Sequence, residues 1–148
     1  MTTETRTGSR AGIRLRMRAR ARAVQAVYAW DVIGGQPLER VASRLWDDLR
    51  LGADVRARAV VLVAAVEART AEIDAALRDV TTNWRLERLG VIERSVLRVA
   101  AAELGLGDTP PKVVAQEAVR LAERFGSASS ARFVNGVVDA LARHMGRL

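Results

Sequence analysis

From about Met17 onward, apolar residues recur at helical spacing along the chain. Ala23, Val27 and Trp30 fall at i, i+4 and i+7, with Val24 and Tyr28 on an adjoining face, and predict a first helix that stops before Gly34-Gly35-Gln36-Pro37. A short second helix follows Pro37, with Leu38, Val41, Leu45 and Leu49 as its stripe until Gly52. The longest element runs from Ala53 to about Val80 on Val55, Ala59, Leu62, Val66, Ile73 and Leu77, with a break expected near Thr70. Its run Val60 to Val66 has strand propensity, but the flanks continue a helical pattern too long for a strand. Leu86, Leu89, Ile92, Val96, Val99 and Leu104 stripe the next helix, ended by Gly105 and Gly107. Pro110 reads as a first-turn residue of a helix carrying Val113, Ala118, Leu121 and Phe125 up to Gly126. Ser127 is placed to cap a last helix with Phe133, Val137, Leu141 and Met145 on one face.

Asn135-Gly136 conflicts with that last helix, because between apolar residues it is a strong hairpin signal. A helix there costs about 1 kcal/mol for the glycine relative to alanine. The apolar i, i+4 series nevertheless runs straight through it, and a lone two-stranded ribbon would be marginal. Helix is therefore predicted, with Gly136 admitting a neighbouring helix closely. The expected fold class is all-α: one compact domain of about seven helices, which at 148 residues hides roughly 68% of its unfolded surface.

Charge adds a feature that periodicity misses. Of 24 basic residues all but Lys112 are arginine, and residues 1–22 hold seven of them against Glu4 alone, a local +6 in a chain of net +7. The rest of the chain is nearly neutral, so the basicity is a local arm of the kind that meets polyanions. An organellar transit peptide and a merely solvated tail are the competing readings; no apolar run of seven or more follows the arm, so neither a secretory signal nor a membrane anchor is expected. On a helix, Arg14, Arg18 and Arg22 would share one face while Arg16 and Arg20 projected from nearly the opposite one. Such an arm is not expected to lie flat on a core. Residues 1–16 are predicted to form a flexible arm and 17–148 the helical domain.

Candidate chemistry is sparse. With no cysteine and one histidine, thiolate sites are excluded and an imidazole-built metal site is improbable. There is no phosphate-binding glycine loop, no GxGxxG and no serine elbow, so neither an enzyme nor a cofactor is expected. Asp47-Asp48 point about 100° apart on a helix and read as solvated, His144 as surface decoration, and Trp30, Trp46 and Trp84 as core or partial core. The segment Arg124 to Val137 is richer. Two aromatics, Arg132, several hydroxyls and a helix N-terminus are the means of recognising single-stranded RNA, by stacking, base-edge donors and phosphate contacts. Packing of Phe125 and Phe133 in a helix-helix core is the alternative.

Four blocks, in order and spacing, resemble the NusB family of transcription antitermination factors: ARARAVQAVYAW (Ala19 to Trp30), NWRLERLGVIERSVLRVAAAEL (Asn83 to Leu104), PPKVVAQEAVRLAERFG (Pro110 to Gly126) and SASSARFVNGVVDAL (Ser127 to Leu141). The resemblance implies two packed helical subdomains and binding of the boxA element of leader and ribosomal RNA transcripts, together with NusE, a small-subunit ribosomal protein, in the RNA polymerase complex. It further implies an RNA-binding set of Arg16, Arg18, Arg20, Arg22, Phe125, Ser129, Arg132 and Phe133, and a NusE-facing set of Tyr28, Glu87 and Glu93. Ser129 departs from the family pattern, where an acidic residue can stand, and residues before Ile13 have no counterpart. A cytoplasmic location is expected, and the absence of cysteine fits such a reducing compartment. Two alternatives remain open at this point: a binding module like that of certain RNA cytosine methyltransferases, and a helical scaffold docking a protein without RNA. A steep salt dependence of binding separates RNA from the second.

Overall fold

The computed structural model describes residues 9–81 and 88–147, and among them every regular element is a helix. These are α1 (Arg10–Ile33), α2 (Leu38–Asp48), α3 (Ala53–Ala68), α4 (Thr70–Val80), α5 (Val91–Leu106), α6 (Pro111–Phe125) and α7 (Ala128–His144). Their ends follow from local chemistry. The Ser9 hydroxyl accepts from Gly12 N at 3.0 Å to cap α1, and Gly34 at φ 70° ends it. Gly107, left-handed at φ 73°, closes α5. The predicted break near Thr70 falls at Arg69, between α3 and α4.

α1 packs against α2, α3 and α5, whereas α4 to α7 pack among themselves, so two helical groups meet on α5. Its residues Ser95 to Leu104 are buried without interruption, as befits a central helix touched from several sides. Ala19, Ala23 and Ala26 give α1 a small-residue face that allows close approach, and one continuous core runs from Val27 and Leu62 through Leu97 to Leu121 and Leu141. Asn135-Gly136 lies inside α7 as predicted.

Four expectations are corrected. Residues 10–16 are not a flexible arm: α1 is helical from Arg10, and Arg16 is tied to the body of the protein. The buried face of α2 is Leu38, Val41, Ala42 and Trp46, while Leu49 is 44% exposed, because the helix ends at Asp48 and Leu49 lies beyond it as the C-cap. In α6, Pro110 is the cap and Pro111 opens the helix, which turns Val114 inward and leaves Val113 at the surface. Gly136 faces open space and receives no neighbouring helix. Trp84 and Leu86 lie outside the described residues.

Candidate nucleic-acid interface

The arginines of α1 divide by helical face, as the wheel predicts, but the inward half is engaged rather than repelled. Arg20, 4% exposed, donates through Nε and Nη2 to the two carboxylate oxygens of Glu103 at 2.7 and 2.9 Å, and through Nη1 to Glu117 at 3.1 Å. Arg16 donates to Thr109 Oγ1 at 2.6 Å, and that hydroxyl donates to Glu103 at 2.8 Å. From α3, Arg58 grips both oxygens of Asp108 at 2.6 and 3.1 Å and reaches Glu103 at 3.3 Å. Carboxylates on α5 and α6 thus form the surface on which the arm lies, which corrects the expectation that it could not pack flat.

The electrostatics of this cluster favour full ionisation. Burial alone would raise the Glu103 carboxyl, but hydrogen bonds and charge from Arg20, with help from Thr109 and Arg58, hold it below the usual glutamate range. Burial pulls the other way on Arg20, and pairing with Glu103 and Glu117 overcomes it, so its pKa is raised. The Arg58 hydrogen bond keeps Asp108 low against its partial burial. Arg16 is lowered, chiefly by burial and then by the neighbouring Arg58 charge.

Of the implied RNA-binding arginines, then, Arg20 is wholly committed to carboxylates, and Arg16 is held through Nη2 by the Thr109 hydroxyl and, at 3.4 Å, by Asp108. Arg18 is exposed, and Arg22 is half-buried and donates to Gln25 at 2.9 Å. Arg10 and Arg14, absent from the set implied by the resemblance, share the exposed face with Arg18. Their i, i+4 spacing was the signal available in the sequence.

That face continues along α1 through Gln25 and Ala29, with Tyr28 beside them, into a cleft of about 420 Å³. Val24, Gln25, Tyr28 and Ala29 form one wall, with Leu45, Leu49, Ile92 and Phe125 opposite. Tyr28 is 42% exposed there, and the Arg124 guanidinium lies 5.0 Å over the Phe125 ring. A second, more polar cleft of about 330 Å³ lies between the N-termini of α5 and α7, lined by Arg88, Leu89, Gly90 and Glu93 and by Ser127, Ser129, Ser130 and Phe133. Arg132 is exposed nearby on α7.

The two clefts regroup the implied residues. Phe125 joins Tyr28, and Glu93 joins Ser129 and Phe133, because adjacent residues Ile92 and Glu93 of α5 face opposite clefts. Glu87 lies outside the described residues. Sequence reasoning missed Arg58, Glu103, Asp108 and Glu117, whose partners lie tens of residues away. Among the described residues no cluster of three or more His, Cys, Asp or Glu could hold a metal ion.

A NusB family model matches residues 17–143. The transcription antitermination protein NusB of Sorangium cellulosum is 40% identical over 127 residues, covering 85% of this chain and 90% of the relative. That of Anaeromyxobacter dehalogenans is 42% identical over 122 residues, covering 82% and 85%. Among solved structures, one of antitermination factors NusB and NusE in complex with dsRNA superposes with a TM-score of 0.81 at 28% identity, covering 88% of this chain and 98% of the matched one.

Proposed function

Since this chain belongs to the NusB family, we propose that it is a non-catalytic transcription antitermination factor that binds boxA-type RNA jointly with NusE. One observation carries the reading: an exposed arginine stripe on α1, Arg10, Arg14 and Arg18, leads directly into an apolar cleft that presents Tyr28 and Phe125. A cationic track suits a phosphate backbone and an apolar cleft with a half-exposed tyrosine suits a protein side chain, so RNA and partner would be held side by side. The likeness to a NusB chain solved with NusE and RNA supports the same pairing.

In this reading the arginines supply attraction without sequence preference, and Ser129, Arg132 and Phe133 at the start of α7 read bases. Tyr28 faces the partner, with Glu93 just beyond the Ile92 wall of its cleft. Arg16 and Arg20 serve chiefly to seat the stripe. Among the described residues no helix is long and apolar enough to cross a membrane, and a partnership with the transcription machinery supports a cytoplasmic location.

The test is a titration with boxA-bearing and scrambled single-stranded RNA, with and without NusE, at two salt concentrations. The expected result is tighter binding of the boxA oligomer, enhanced by NusE and weakened steeply by salt. Indifference to RNA at low salt with NusE present would overturn it.

A further inference from the structure

We propose that Glu93 is a positioning residue for RNA: by accepting a hydrogen bond from Ser130 it fixes the start of α7, whose first two turns carry Ser129 and Phe133. The inference rests on the RNA reading above and adds an inward role to a side chain otherwise assigned to the partner.

The geometry is built around this bond. Ser130 is buried, and its Oγ donates to Glu93 Oε1 while lying 3.1 Å from the Oγ of Ser127. Ser127 in turn caps α7 by accepting from Ser130 N at 3.1 Å. Glu93 stands in the first turn of α5, where a carboxylate suits the helix dipole. One hydrogen bond therefore joins the starts of two helices.

Two glycines leave room for its two ends. A Cβ on Gly90 would collide with Glu93 Oε2, so the carboxylate folds back over that backbone only because no side chain is there. A Cβ on Gly126 would come within 2.8 Å of both Ser130 Oγ and Ala122 O. Withdrawing Glu93 would leave the buried Ser130 hydroxyl with the Ser127 hydroxyl alone, a poorer arrangement for a group shielded from water. The first turn of α7, with Ser129 in it and Phe133 one turn on, would then lose this polar tie to α5.

Gly90→Ala provides a clean probe. The backbone there, φ −58° and ψ 148°, suits alanine, and the obstructing atom is the flexible end of a side chain, so the fold should survive while the carboxylate is displaced. Ser130→Ala removes the other end and leaves the Ser127 cap intact. Both variants, their combination and the wild type are titrated with boxA-bearing and scrambled RNA oligomers, with NusE saturating, across a salt series. Each single variant should narrow the affinity ratio between the two RNAs by about three- to tenfold. The slope of log affinity against log salt should not change, since the arginine stripe is untouched. The double variant should be no worse than either single one, because both break the same bond. A purely structural role would lower Tm and leave the ratio intact. Variants that discriminate like the wild type, or single losses that add in the double variant, overturn the inference alone. A wild type that binds neither RNA overturns the RNA reading and this inference with it.

Discussion

Arg20 and Glu103 are each nearly inaccessible to water, and each is the other's main partner. Two charge-assisted hydrogen bonds at 2.7 and 2.9 Å offset the desolvation of both groups. Glu103→Ala leaves the buried Arg20 with Glu117 as its one carboxylate partner and deprives Arg58 and Thr109 of an acceptor, and should cost about 3 kcal/mol by denaturant titration. A loss below 1 kcal/mol would show that the cluster is not holding the arm. The same pair fixes a pH dependence. Because the folded pKa of Glu103 lies below its ordinary value of 4.5, the unfolded chain binds the proton first, so the pair's contribution is full above that value and is lost as pH falls through the folded pKa. Asp108, also lowered, acts in the same direction. Stability should therefore decline from about pH 4.5 downward, and Glu103→Gln should flatten that decline. The alternation of Arg14 and Arg18 with Arg16 and Arg20 was legible in the sequence as two faces. Which face was inward was not, since the deciding acids lie 83 and 97 residues from Arg20.

At the scale of the element, α1 has two functions along a single rod. Its C-terminal half buries Ala23, Val24, Ala26 and Val27 in the ordinary apolar way, whereas its N-terminal half is held chiefly by ion pairs around the small side chains Ala19 and Ala21. A hydrophobic pattern marks only the first of these, and that is why the arm read as detached while the helix after Met17 was plain. The slippage in α2 and α6 has a similar cause. In a helix with several apolar residues in succession, period alone does not decide between Leu45 and Trp46, nor between Val113 and Val114; packing against neighbours does. The division of labour in α1 separates two perturbations. Replacing Arg14 and Arg18 by alanine should leave Tm within a degree or two and make the salt slope of RNA binding shallower by about 1.4, if each meets one phosphate of a single strand. Deleting everything before Ala23 should instead lower both RNA affinity and stability, because Glu103 and Glu117 lose Arg20. Retention of full stability by the truncated chain would mean that the ion pairs contribute nothing net.

At the scale of the molecule, α5 is the element on which both helical groups rest, and the first turn of this helix divides the apolar cleft from the polar one. The all-helical class and the helix count were readable from spacing, since apolar stripes and caps act locally. The partition of candidate residues between clefts was not, because it depends on how α5, α6 and α7 meet. That partition brings the proposed partner and RNA surfaces into one neighbourhood, where Phe125 ends the helix that precedes the Ser127 cap by a single glycine. A ligand in either cleft therefore orders groups that the other ligand uses, and the two should bind with positive coupling. Thermodynamic linkage requires the coupling to be reciprocal: whatever factor NusE adds to RNA affinity, RNA must add to NusE affinity. For contacts of this size the factor should be about 5 to 150. Tyr28→Ala should weaken NusE binding directly while leaving RNA binding in its absence unchanged, as Tyr28 lies beyond the arginine stripe. Calorimetric titrations closing the cycle of free protein, binary complexes and ternary complex measure the factor along both routes. A factor near one would show that the clefts, though adjacent, bind their ligands independently.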